Sequence, residues 1–406
     1  MGRVFYKLNR KEGIQTKIKL LIRKDFFVHY RLLNLALFSE TSNNNISQTC
    51  GLKKYRRIIR KQPHYPVLLF FTIRHFKMNS TTTAQGFQRF QYFLQQLQNI
   101  LLNAVKEKDP ALYIYQQNAR TPLFMLEALA RIYRNMHNPK LFTKLQARFK
   151  ELEDMLGEVD YYDGFYKEFT AKKNVPDEII NFIQTKREGG LSLLNEKLVD
   201  DKWLEQEDKR MSKINKKLSK ADWLNEADDV NGIKKYYQKS ISNIETKIKK
   251  SEINFNDVET DVHELRRELR WLSIYPQALR GLMQLSPTAD SPEFLKKYLT
   301  DEIVNSLFNK MPDGTALQNH IQLNTNYFYA LSWMISQLGK LKDNGLRILI
   351  ITEALMGIKK LNRKNAEVEA FKLCGEGQLS VEEILLQAKK ISEQFFGEKV
   401  IEKILL

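Results

Sequence analysis

Residues 261–271 read Asp-Val-His-Glu-Leu-Arg-Arg-Glu-Leu-Arg-Trp. On a helix, His263, Arg266, Arg267 and Arg270 fall within about 100° of arc, and Val262, Leu265, Leu269 and Leu272 take the other side. One face is built to bury and the other to meet an anion. Four cationic or cationisable groups in one stripe repel each other, a cost that a negative ligand across them removes. Guanidinium forks match phosphate oxygens two at a time. An imidazolium beside a phosphate has its pKa raised and donates two hydrogen bonds. The competing chemistry is structural. The arginines can instead pair with Glu264, Glu268 or acids of a neighbouring helix, and the pattern alone leaves both open.

Other cations are candidates for the same ligand. Lys340-Leu341-Lys342-Asp343 sits at a predicted helix end, where lysines either complement the C-terminal carbonyls or face the anion. In the first half of the chain, Arg120, Lys144 and Arg148 are the available counterparts and make a half-site at best. Signs of an enzyme are missing. Neither a G-x-x-x-x-G-K-[ST] nor a G-x-G-x-x-G loop occurs. His263-Glu264 lacks the second histidine of a zinc helix. The sequence therefore predicts no catalytic residue, no metal and no cofactor. Tyr161-Tyr-Asp-Gly-Phe-Tyr166 is aromatic enough to stack on bases, but its plainer role is packing at a helix end.

The elements that must carry these residues are helices. From Thr81 onward Gly and Pro are sparse, and apolar residues recur at three and four, as in Phe87, Phe90, Phe93, Leu94, Leu97 and Leu101. Thr121-Pro122 predicts a helix start with Thr as cap, and Asn138-Pro139 predicts another. The second buries Phe142, Leu145, Phe149, Leu152 and Leu156, with Lys140, Lys144 and Arg148 on a neighbouring face. Gly157 marks that helix's end or a close packing point. Residues of about 186–260 are rich in Lys, Glu and Asp and predict a join of long, exposed helices. Further helices are expected over Val262 to about Leu285, 292–310, 317–339, 343–365 and 379–404. Asp313-Gly314 and Asp343-Asn-Gly345 read as turns or caps between them, and no strand is expected.

The net charge of +17 must be located before it means anything. Residues 1–77 hold 17 of the 65 Lys+Arg and 3 of the 48 Asp+Glu, so they carry +14 and leave +3 for the rest. An anion site on the remainder must therefore be a local patch, not a global field. Residues 1–77 read as a disordered basic arm or as translated upstream sequence, with Met78 as the functional start; an arm for nucleic acid or anionic lipid is the alternative. They lack the layout of a secretory signal, and the longest apolar run is too short to span a bilayer. Two cysteines, Cys50 and Cys374, suit a reducing, cytoplasmic setting.

The stretch Val262-His263-x-x-Arg266-x-x-x-Arg270 resembles the signature helix of the CHAD family, the conserved-histidine α-helical domains. A fainter copy begins at Ile114-Tyr115, offset by 148 residues, and a Leu-Gly pair recurs at Leu156-Gly157 and Leu338-Gly339. The first copy departs from the motif: Tyr115 stands for His, and Asn118 and Pro122 stand for Arg. The resemblance implies an all-α fold of two related antiparallel helical-bundle halves. These are a first half of about 81–185, the charged join of about 186–260 and a second half of about 261–406. It also implies a non-enzymatic, basic site for inorganic polyphosphate or another polyanion. The family's companion triphosphatase mark, E-x-E-x-K, is missed by one residue at Glu367-Val-Glu369-Ala-Phe-Lys372. A rival reading keeps the fold and makes it a helical protein-interaction scaffold for a protein partner, with much of the anion site lost.

Overall fold

Phe90, Phe93, Leu94, Leu97 and Leu101 are buried on one face of α1 (Gln85–Ala104), as their spacing requires. The structure, a computed structural model, describes residues 84–172, 175–205, 209–287 and 291–406, all within one compact unit, Ser80–Leu406. The readings made for residues 1–77 lie outside the described residues. After α1 come α2 (Pro110–Gln116), α3 (Arg120–Tyr133), α4 (Pro139–Ala171), α5 (Asp177–Asp200), α6 (Lys209–Leu218) and α7 (Glu226–Lys249). A π-turn, Val258–His263, leads into α8 (Glu264–Ala278). The chain then passes α9 (Asp301–Val304), α10 (Thr325–Lys359), α11 (Arg363–Cys374) and α12 (Val381–Gly397). The described unit is all-α apart from one small sheet. In it β1 (Met283–Ser286) pairs in parallel with β2 (Ile321–Asn324).

Two apolar cores share the two longest helices. α4, of 33 residues, gives Phe142, Leu145, Phe149, Leu152 and Leu156 to the larger core and Phe165 and Phe169 to the smaller. α10, of 35 residues, gives Phe328, Leu331, Met334 and Leu338 to the larger and Ile350, Ile351, Ala354 and Leu355 to the smaller. α5 and α11 complete the smaller core with Ile179, Ile183, Ala366 and Ala370.

Several expected boundaries shift. The helix predicted to run to Leu285 stops at Ala278, and the chain becomes β1. The segment 292–310 is not one helix. It is broken into 3₁₀ turns at Glu293–Tyr298 and Leu307–Asn309 around α9. Pro122 lies inside the first turn of α3, whose cap position is Ala119 and not Thr121. Gly157 lies in the middle of α4, so close packing and not helix termination accounts for it. The helices predicted over 317–339 and 343–365 are one, because Asp343-Asn-Gly345 continues α10 and does not turn.

Gly345 serves a close approach: a methyl group there would lie 2.8 Å from Cγ1 of the buried Val258. Gly345→Ala is expected to lower stability by about 1–3 kcal/mol through overpacking, more than the ~1 kcal/mol of helix propensity it gains. A lowered urea midpoint, restored when Val258→Ala is added, is the expected readout. An unchanged or higher midpoint would show that Val258 moves aside freely.

Candidate anion-binding cleft

Three helical stripes converge on one cleft. α8 follows its buried face of Val262, Leu265, Leu269 and Leu272, all fully buried, and so turns His263, Arg266, Arg267 and Arg270 outward together. α3 brings Arg120, Phe124, Glu127 and Arg131, spaced i, i+4, i+7 and i+11. α4 brings Lys150, Glu153, Asp154 and Gly157 at i, i+3, i+4 and i+7. Together they enclose about 250 Å³.

The charges in the cleft are unequally partnered. Arg120 is satisfied: Nε donates to Glu153 Oε1 at 2.6 Å and Nη1 to Asp160 Oδ2 at 2.8 Å. Arg131 pairs with Glu127 at 2.9 Å and lies over the Trp271 ring at 4.2 Å. Arg267, on the rim, pairs with Glu264 at 2.8 Å, and Lys150 pairs with Asp154. Arg266 and Arg270 differ. Arg266 Nε donates to the Ile335 carbonyl at 3.2 Å, and Arg270 lies over the Phe124 ring at 4.5 Å. Among the described residues neither has a carboxylate at ion-pairing distance.

The consequence is electrostatic strain. Burial, then the charge of Arg120, holds the Arg266 guanidinium below its ordinary range, although Asp343 opposes this. Burial, then Arg266 and Arg120, pushes Arg270 down to about 10. Both shifts say that the surroundings oppose positive charge, and an anion held between these groups would reverse that. His263 Nδ1, a buried ring nitrogen, lies 3.2 Å from Glu259 Oε2 without a hydrogen-bonding geometry and has no hydrogen-bond partner among the described residues. It closes the π-turn, a backbone irregularity often found where function needs a side chain re-aimed. Burial first of all raises the Glu153 carboxyl, and Arg120 engages it at 2.6 Å.

Two glycines make room for arginines. A methyl on Gly339 would lie 3.0 Å from Arg266 Nε, and one on Gly157 would lie 2.7 Å from Arg120 Nη2. Each Leu-Gly pair thus sits on a long helix, under an arginine from the short helix that crosses it.

Of the predicted residues, the cleft gathers His263, Arg266, Arg267, Arg270 and Arg120. Lys340 and Lys342 do not line it. Lys340 is exposed and reaches Glu302 at 3.3 Å, while Lys342 is held by Asp343 at 2.9 Å. Both lie within α10 and not at its end, so there are no terminal carbonyls for them to complement. Lys144 and Arg148 also lie outside the lining, because they occupy a face of α4 nearly opposite, about 165° from, Lys150, Glu153 and Gly157. Tyr115, aligned with His263 in the sequence, is not a ligand position either. Its hydroxyl donates to the buried Asp163 at 2.7 Å, in a cluster with Lys167 and Arg187. Sequence reasoning missed Phe124 and Arg131, whose stripe with Arg120 was the available signal.

Comparison with protein-family models, characterised proteins and solved structures returns no match. Among the described residues no cluster of three His, Cys, Asp or Glu is arranged to hold a metal ion, and no helix is long and apolar enough to cross a membrane.

Proposed function

We propose that this is a non-enzymatic polyanion-binding domain of CHAD type, taking inorganic polyphosphate in the cleft between α3, α4 and α8. One observation carries the reading: Arg266 and Arg270 are half-buried, near a third arginine, and without a carboxylate partner among the described residues. Half-buried cations left this way keep an uncompensated desolvation cost, and a bound phosphate chain is the chemistry that compensates them. The two-half architecture is part of the same proposal. Its support is the repeated device of a short helix laying an arginine on the glycine of a long one, Arg120 on Gly157 and Arg266 on Gly339.

The test is a polyphosphate titration of the full chain across a salt series. Neutralising several phosphates releases counterions, so affinity is expected to fall steeply as salt rises. No affinity for polyphosphate at low salt sinks the proposal. Glu264→Ala is expected to bind as well as wild type or slightly better, because it frees Arg267 from its 2.8 Å pair and removes a negative charge from the rim. A clear loss of affinity would place Glu264 in the site's support.

One observation favours a second reading, a helical scaffold for a protein partner. On the turn after α9, Phe308 is 83% and Leu307 62% exposed, and an apolar pair so open is unusual on a surface with no partner.

A further inference from the structure

The cations that the cleft leaves out form a cluster of their own. Residues 139–149 contain three basic and no acidic residues, and 209–220 contain six basic and none acidic. The fold brings these two runs side by side. Asn138, ahead of α4, donates through Nδ2 to Asp222 Oδ2 at 2.8 Å, and its own Oδ1 accepts the Asp222 backbone N–H at 2.9 Å. Trp223 donates to the Leu218 carbonyl at 2.8 Å and packs against Phe142 with ring centroids 5.7 Å apart. The end of α6 is thereby tied to the start of α4. α6 buries Met211, Ile214 and Leu218 and anchors Asn215 to Gln91 of α1, so Lys213 and Lys217 must point outward. On α4, Lys144 and Arg148 are one helical turn apart, with Lys140 in the same row.

Among the described residues, Lys140, Lys144, Arg148, Lys213 and Lys217 make no ion pair. Two acids close to these runs in sequence are already engaged, Asp222 by Asn138 and Glu151 by Lys197 at 2.5 Å. Desolvation and the charges of Arg148, Lys213 and Lys144 hold Lys217 below the usual lysine range. Like charges gathered without counter-charge are disfavoured unless an anion covers them. The kind of anion follows from what the surface lacks. None of the large apolar or aromatic side chains exposed among the described residues belongs to 139–149 or 209–220. Among the described residues these runs expose no large apolar side chain to insert into a bilayer and no aromatic ring on which a base can stack. The surface offers point charges alone, and it suits a ligand that is charge alone.

We infer that the paired rows Lys144–Arg148 on α4 and Lys213–Lys217 on α6 are a second, separate anchor for a linear phosphate polymer. The inference rests on the reading of the cleft as a phosphate site. The two anchors lie on different faces of α4, with centres about 11 Å apart along its axis. A short anion fills the cleft alone. A long chain reaches both, and its second contact is intramolecular, which multiplies affinity without any change at the cleft.

The experiment compares tripolyphosphate with long-chain polyphosphate, both titrated into the full chain at low salt. The variant Lys144→Gln/Arg148→Gln/Lys213→Gln/Lys217→Gln is expected to lose tenfold or more in affinity for the long chain, to show a shallower salt dependence, and to keep wild-type affinity for tripolyphosphate. A charge-preserving variant, Lys144→Arg/Lys213→Arg/Lys217→Arg, is expected to retain the long-chain affinity and so excludes a folding artefact. If the neutralised variant binds the long chain with wild-type affinity and salt slope, the second anchor does not exist. If duplex DNA at equal phosphate concentration binds the wild type more tightly than the polymer does and loses that affinity in the neutralised variant, the assigned ligand class is overturned. Failure of the cleft is separable, because it appears as an Arg270→Met variant that still binds tripolyphosphate.

Discussion

Arg266→Met/Arg270→Met is expected to bind polyphosphate at least tenfold more weakly than the wild type, while the unliganded protein unfolds no more easily. The first half of that result follows from the loss of charge-assisted contacts, each worth about 1.5–3 kcal/mol, where ~1.4 kcal/mol is a factor of ten. The second half follows from the missing partners. Substitution forfeits the bond from Arg266 to the Ile335 carbonyl, about 1.5–3 kcal/mol, and the contact of Arg270 with Phe124, about 0.5–2 kcal/mol. It also removes two cations that burial and Arg120 oppose, and methionine keeps the length and the packing. The pH dependence has a definite sign. Arg270 sits at about 10 in the fold, below the ordinary arginine range, so from there up to the ordinary range the unfolded chain binds more protons. Unliganded stability from this group therefore rises with pH across that window, and its full cost is present throughout the neutral range. A double variant that binds normally but melts far below the wild type would make these arginines structural and leave the scaffold reading in possession.

Asp229→Ala is expected to be among the most damaging single changes, at about 3–5 kcal/mol. Arg89 and Asp229 are both about 95% buried at the side chain and meet at 2.6 Å, and Arg89 also donates to the Tyr133 hydroxyl at 2.6 Å. Burial opposes the Arg89 charge, yet Tyr133 and Asp229 together outweigh it and hold the guanidinium above its ordinary range. Removing Asp229 leaves that cation sealed in the core with only neutral partners, the Tyr133 hydroxyl and, at 3.4 Å, the Gln85 side-chain oxygen. The double change Arg89→Met/Asp229→Leu takes out both charges and is expected to recover most of the loss. Urea midpoints of the three proteins check this. An Asp229→Ala midpoint close to that of the wild type would mean that water reaches Arg89.

The contrast between these two arginine sites shows what was readable in the chain. The Arg266–Arg270 stripe was legible because its own helix decides it. Once Val262, Leu265, Leu269 and Leu272 go inward, the direction of the rest is determined. The pairing of Arg89 with Asp229 joins positions 140 residues apart and leaves no local pattern. Lys144 and Arg148 show the intermediate case. Their face on α4 was visible, but which neighbour lies beside it depends on how α6 docks, and α6 sits in a stretch read only as a charged join. The strands were missed because four residues each, Met-Gln-Leu-Ser and Ile-Gln-Leu-Asn, are too short for alternation to register. The false break at Asp343-Asn-Gly345 came from a turn-forming tripeptide whose glycine answers to Val258, far away in the chain.

The shared long helices carry a last consequence. α4 and α10, each about 50 Å long, run unbroken from one apolar core into the other. Neither core can melt without stripping a wall from its neighbour, so denaturation is expected to be a single concerted event. The slowest amide hydrogen exchange should then come from the middle turns of both helices, where the two cores grip the same backbone. The cleft lies against such a stretch, Lys150 to Gly157 of α4. A ligand held there would slow exchange along α5 and α11 as well, with no contact to either. Occupancy at one end of the domain would thus be written into the rigidity of the other.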